Sequence, residues 1–160
     1  MVTEKQMRPL VVDWLRSIRL EVAHELFIAG GYCDLIGFRF KDRTSRHIPD
    51  LMRVEAVELK VKDYNGVKNQ CLSNQYVTNA TWAAMPKELL DKRTLKTENE
   101  FREAGIGLLA VDVENEDVKV IWYPPHQHRD YPDSFNRKLW RYHLHPQKPK
   151  RTPDAGGEAT

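Results

Sequence analysis

Asp34, in Gly31-Tyr32-Cys33-Asp34-Leu35-Ile36-Gly37, and Glu58, in Ala56-Val57-Glu58-Leu59-Lys60, both lie in β-favouring runs where a solvated loop charge is out of place. Lys60 stands two residues beyond Glu58. On a strand that spacing puts Glu58 and Lys60 on one face and Val57, Leu59 and Val61 on the other. Two carboxylates and an ammonium converging on one face are costly, because like charges repel and desolvated charges need partners. A divalent cation resolves the conflict, so the stretch from Gly30 to Lys60 reads as a metal-dependent active site.

The elements that must position these residues can be read from periodicity. Thr3-Glu4-Lys5-Gln6 has the form of a capping box, and Met7, Leu10, Val11, Trp14, Leu15 and Ile18 come after it at helical spacing. From Leu20 the period becomes two, with Leu20, Val22, His24, Leu26 and Ile28 alternating with Glu21, Ala23, Glu25 and Phe27, which predicts a strand. Ala29 to Tyr32 reads as a hairpin connection and Cys33 to Phe40 as the returning strand. A loop of two or four residues sets Phe27 opposite Asp34 and Glu25 opposite Ile36, with Glu25 and Asp34 on one face of the sheet. Lys41 to Pro49 is a polar loop before a third strand at Leu51 to Val61. Asp63 to Gly66 ends that strand, a helix is predicted from Val67 to Asn79, and Thr81 to Met85 is a strand buried on both faces. Thr97 to Glu100 opens a short helix that Gly105 ends. Strands at Ile106 to Val113 and Val118 to Tyr123 come next, then a helix at Ser134 to Tyr142.

At 160 residues, 41% hydrophobic and 30% charged, the chain fits one domain with a core. The expected division is a domain at 1–145 and a disordered basic and polar tail at 146–160. The chain has no membrane-length apolar run and no secretory layout at its start, so a cytoplasmic protein is expected. Cys33 and Cys71 form no zinc-type pair and read as small buried apolar residues. The net charge is only +2, but residues 126–151 hold seven Lys or Arg against Asp130 and Asp133. Arg137, Lys138, Arg141 and Trp140 in that segment would suit a phosphate backbone with base stacking, and a solvated helix anchored by aromatics is the competing reading. His24 reads as a core histidine and Asp63 as a helix cap. His126-Gln127-His128 and His143-Leu144-His145 are pairs that zinc or nickel could use, although no cysteine joins them.

The order helix, three antiparallel strands, helix, strand resembles the αβββαβ core of the PD-(D/E)XK nucleases, the restriction-endonuclease-like fold: an α/β architecture with a central mixed sheet flanked by helices. The resemblance spans about Leu20 to Met85. It places the family's Asp at Asp34 and its Glu-x-Lys at Glu58-Leu59-Lys60, while Cys33 stands where the family name implies proline. It also implies a further Glu on the first helix or strand, for which Glu25 matches best and Glu21 second, and a Gln on the helix after the lysine, for which Gln70 matches better than Gln75. For Glu25 and Gln70 an ordinary exposed side chain remains the alternative. Asp34, Glu58 and the Leu59 carbonyl would then hold Mg²⁺, with Mn²⁺ able to substitute, and Lys60 would polarise the attacking water. The implied function is hydrolysis of DNA phosphodiester bonds, with RNA not excluded. The alternative is a nuclease-fold DNA-binding module without catalysis. Double-strand cleavage by so small a domain would need two sites, which makes a homodimer a reasonable expectation.

Overall fold

The third strand, Leu51–Leu59, is the axis of the molecule, because it is the point at which the sheet changes from antiparallel to parallel. In the computed structural model, which describes residues 1–28, 30–41, 48–93 and 95–146, the chain runs α1 (Glu4–Ser17), β1 (Glu21–Ile28), β2 (Gly31–Phe40), β3 (Leu51–Leu59), α2 (Tyr64–Asn74), β4 (Ala80–Pro86), α3 (Lys87–Asp91), α4 (Leu95–Glu103), β5 (Gly107–Asp112), β6 (Asp117–Trp122) and α5 (Asp133–Leu144). The fold is α/β. Six strands form one mixed sheet in chain order, with β3, β4 and β5 parallel and the outer pairs antiparallel.

Parallel neighbours need a crossover, and α2 supplies the one between β3 and β4. Every residue of β4 is buried, Thr81 among them, as suits a strand covered on both faces. Helix α1 covers one face: Met7, Val11 and Leu15 pack with Leu35, Val57, Leu59, Trp82 and Leu109. Gly37 lets it come close, since a Cβ there would lie 2.8 Å from Leu20 Cδ1 and 3.0 Å from Leu15 Cδ2. On the opposite face, Leu139, Phe135 and Tyr142 of α5 cover Ile36, Phe38, Val54 and Ala56, while α2 and α4 bring Val67, Cys71 and Phe101 onto Ala83, Met85 and Leu108. Cys33 and Cys71 are free thiols, both buried.

Between β6 and α5 the chain returns across the sheet's end as a strap. Asn79 fastens it: its Oδ1 accepts from the Val54 N–H at 2.7 Å and its Nδ2 donates to the Gln127 carbonyl at 2.8 Å. Arg129 Nη2 donates to the Gln75 carbonyl at 2.8 Å.

Several expectations need correction. The alternation through β1 breaks in the middle: Val22 packs on the α1 side, whereas Leu26 and Ile28 pack with the α5 side. Glu25 is the cause, because its backbone is left-handed at φ 52° and reverses the phase of the residues after it. The hairpin register is Phe27↔Tyr32 and Ile28↔Gly31, two residues tighter than the register that would set Phe27 opposite Asp34. Helix α2 starts earlier, because Asp63 accepts the Gly66 N–H at 2.9 Å and so caps the first turn, and it ends at Asn74, short of Asn79. The short α3 had no periodic signal. His24 is half-buried with Nδ1 lacking a hydrogen-bond partner, so it is not a satisfied core histidine. All but the first residue of the expected tail at 146–160, and most of the expected loop between β2 and β3, lie outside the described residues.

Candidate active site

Glu58 lies on β3 with 1% of its surface exposed. Val57 and Leu59 on either side point into the α1 core, which leaves Glu58 facing α2 as the alternation requires. There Asn74, on the last turn of α2, donates to Glu58 Oε1 at 2.7 Å. The other oxygen, Oε2, is buried without a hydrogen-bond partner. Burial first, and then the charge of Asp34, push the Glu58 carboxyl up to about 8, and the Asn74 donor opposes the shift. Asp34 is thus near enough for its charge to act on Glu58.

Asp34 sits where β1 and β2 lose their regular pleat. Its Oδ2 accepts the Leu59 N–H at 2.8 Å, so the carboxylate occupies a place in the hydrogen bonding between β2 and β3. Arg8, about one turn into α1 and largely buried, reaches over it. Its Nη1 donates to the Asp34 carbonyl at 3.0 Å, and its Nη2 lies 3.7 Å from Asp34 Oδ1 and 3.6 Å from Glu25 Oε1. Glu25 therefore does meet Asp34, through a shared guanidinium.

Lys60 comes directly after the last residue of β3, and its N–H donates to the Ala84 carbonyl at 3.0 Å. Its ammonium lies 4.0 Å from Glu4 Oε1. Glu4 is raised by burial and by the charge of Asp34, while Lys60 and Arg8 pull it down. Glu4, Lys60, Arg8 and Asp34 thus form one electrostatic group at the N-terminal end of α1. Gln70 is on the other flank. With Glu58, Asn74, Ser73 and the hairpin residues Gly31 and Tyr32 it lines a cavity of about 180 Å³, and its Oε1 is buried without a partner.

The structure brings Asp34, Glu58, Glu25 and, through Glu4, Lys60 to one end of the sheet, with Gln70 facing the adjoining cavity. The basic segment is distributed differently. Arg137 and Arg141 are exposed on α5, and Lys138 Nζ donates to the Phe27 carbonyl at 2.6 Å. Trp140 packs down, stacked on His143 at 4.9 Å and edge-on to Phe40 at 5.2 Å. His143 Nδ1 lies 2.5 Å from Glu21 Oε1, and His126 Nε2 lies 3.8 Å from Glu55. Glu55 is itself fully buried, paired with Arg53 at 2.6 Å and bonded by Trp82 Nε1 at 2.9 Å. Those partners make it a structural carboxylate.

Three contributors escaped sequence reasoning: Glu4, Arg8 and Asn74. A signal existed for each. Glu4 and Arg8 are four apart on α1, and Gln70 and Asn74 are four apart on α2, so each pair shares a helix face. Attention to the apolar faces alone passes over both.

Among the described residues no group of three or more His, Cys, Asp or Glu is arranged to hold a metal ion. Two adjacent carboxylates, one with an orphaned buried oxygen, nevertheless fit Mg²⁺, which keeps several waters and takes one or two protein carboxylates. No protein-family model matches the chain, and neither does any curated protein. No helix among the described residues is long and apolar enough to cross a membrane.

Proposed function

We propose that this protein is a Mg²⁺-dependent nuclease of the restriction-endonuclease-like, PD-(D/E)XK kind that hydrolyses DNA phosphodiester bonds. The observation that carries the reading is the meeting of Asp34 and Glu58 across β2 and β3, with Lys60 at the end of the same strand. The mixed sheet and the order α1, β1 to β3, α2, β4 support it. A bound Mg²⁺ or Mn²⁺ supplies a Lewis acid that lowers the pKa of water and offsets charge on the phosphate.

The residues of the chain do the rest. Asp34, Glu58 and the Leu59 carbonyl would hold the cation, whose charge would offset the burial and the Asp34 repulsion that raise Glu58. Asn74 fixes the Glu58 rotamer. Lys60 orients the attacking water and offsets the growing phosphate charge, with Glu4 holding its ammonium in place. Arg8 offsets the repulsion between Asp34 and Glu25 and holds both at the site. Gln70 positions the scissile phosphate. Arg137, Lys138 and Arg141 add positive charge along α5 for the backbone of the nucleic acid.

The test is incubation with linear, nicked, branched and single-stranded DNA in Mg²⁺ or Mn²⁺, comparing the native protein with Lys60→Ala and Asp34→Asn. Cleavage is expected from the native protein and lost in both variants. Unchanged cleavage in both refutes the site, and tight metal-independent binding without cleavage identifies a binding module instead.

A further inference from the structure

Phe27 and Tyr32 face each other near the tip of the β1/β2 hairpin, with ring centroids 5.4 Å apart and planes at 77°. They are 50% and 65% exposed. Large apolar side chains are normally buried, each square ångström left wet forfeiting about 25 cal/mol, and here two of them stand together beside the candidate site. Tyr32 lines the cavity that contains Glu58 and Gln70, while Phe27 lines an adjoining groove of about 370 Å³ with Val77, Phe135 and Lys138. Ile28 lines both, so the two depressions are neighbours.

Two further features suggest what would lie there. Lys138 Nζ is 5.9 Å from the centre of the Phe27 ring and donates to the neutral Phe27 carbonyl, with no ion pair among the described residues. At the floor of the cavity Glu58 is almost wholly buried and its Oε2 lacks a partner, as does Gln70 Oε1, which marks the cavity as one that takes a polar guest. The site thus combines exposed aromatic rings, a cation beside them and polar groups below.

We propose that Phe27 and Tyr32 form a stacking platform for an unpaired nucleobase, so that the substrate class of the candidate site is single-stranded nucleic acid. This rests on the nuclease reading above. Every base carries a π-face, and stacking on an aromatic side chain contributes about 1–3 kcal/mol per base whatever the sequence. A base-paired strand has its faces covered by its neighbours and offers the platform nothing. Because Tyr32 and Glu58 wall the same cavity, a base held on the rings leaves its adjoining phosphate toward the carboxylates, and Lys138 meets the next phosphate along the strand.

The experiment measures binding of a fluorescent oligothymidylate and of a blunt duplex by the Lys60→Ala protein in EDTA, with and without Phe27→Leu and Tyr32→Leu together. Cleavage by the otherwise native chain in Mg²⁺ is measured in parallel. Leucine keeps apolar bulk but removes the π-face, and thermal melting checks that the hairpin is intact. Loss of about tenfold or more in single-strand affinity, with duplex affinity changed less than about twofold, is the expected result. An equal loss on both probes, no loss on either, or no single-strand binding at all overturns the platform. Cleavage that persists alongside any of those results leaves the nuclease reading standing. Platform-dependent binding without cleavage overturns the nuclease reading and keeps the platform.

Discussion

Replacing Glu58 by glutamine is expected to stabilise the metal-free protein at neutral pH. The side chain is 1% exposed, and its carboxyl is raised from an ordinary value of 4.5 to about 8 by burial and by Asp34. Between those two values the folded protein carries a proton that the unfolded chain has released. Stability from this group is therefore fully present below about pH 4.5, falls by about 1.4 kcal/mol per pH unit above it, and levels off beyond about pH 8. On the order of 3 kcal/mol is lost by pH 7. Glutamine keeps an oxygen that can accept from Asn74 and cannot ionise, so it removes the titration and spares that contact. Urea unfolding of both proteins in EDTA at pH 5, 6, 7 and 8 is the assay. The difference in unfolding free energy should grow from less than about 1 kcal/mol at pH 5 to about 3 kcal/mol at pH 7. Curves that stay parallel across that range would refute the burial argument. Mg²⁺ at ten times its Kd should then stabilise the native chain at pH 8 by about 1.4 kcal/mol and leave the glutamine variant unchanged.

The contacts around the pair lead to further outcomes. Arg8→Lys loses the fork that holds the Asp34 carbonyl and spans Glu25, and kcat for DNA cleavage should fall by up to about 100-fold with KM little changed, because small misplacements at a reacting centre cost that much. Asn79→Ala strands the Val54 N–H and the Gln127 carbonyl, and the urea midpoint should report a loss of about 2–3 kcal/mol. Arg137→Ser and Arg141→Ser should each weaken DNA binding uniformly across sequences, and each should lower the slope of log affinity against log salt by about one, read by anisotropy titration.

The sequence made the carboxylates legible because strand alternation is a strong constraint. Val57 and Leu59 go to the core on either side of Glu58, and no other arrangement buries them both. The largely apolar run from Thr81 to Met85 likewise announced a strand covered on both faces. The features that stayed hidden depend on backbone geometry or on distant partners. Nothing in the composition of Glu21 to Ile28 shows that Glu25 adopts a positive φ, and that one residue moves Leu26 and Ile28 to the other side of the sheet. The contact between Arg8 and Asp34 spans 26 positions and depends on how α1 crosses the sheet, which Gly37 permits but does not advertise. Trp140 has basic sequence neighbours that suggest a ring available for stacking, yet Phe40 and His143 take that ring.

Strand order in the sheet equals strand order in the chain, and this bears on how the protein is made. Every strand pairs with the one just before it, so the sheet can grow from one edge as the ribosome delivers it, at roughly 5–20 residues per second. Glu4, Arg8, Glu25, Asp34, Glu58, Lys60, Gln70 and Asn74 all emerge before β4 begins. The candidate site belongs wholly to the first half of the chain. The later strands and α5 add none of these side chains; α5 covers Ile36, Phe38, Val54 and Ala56 instead.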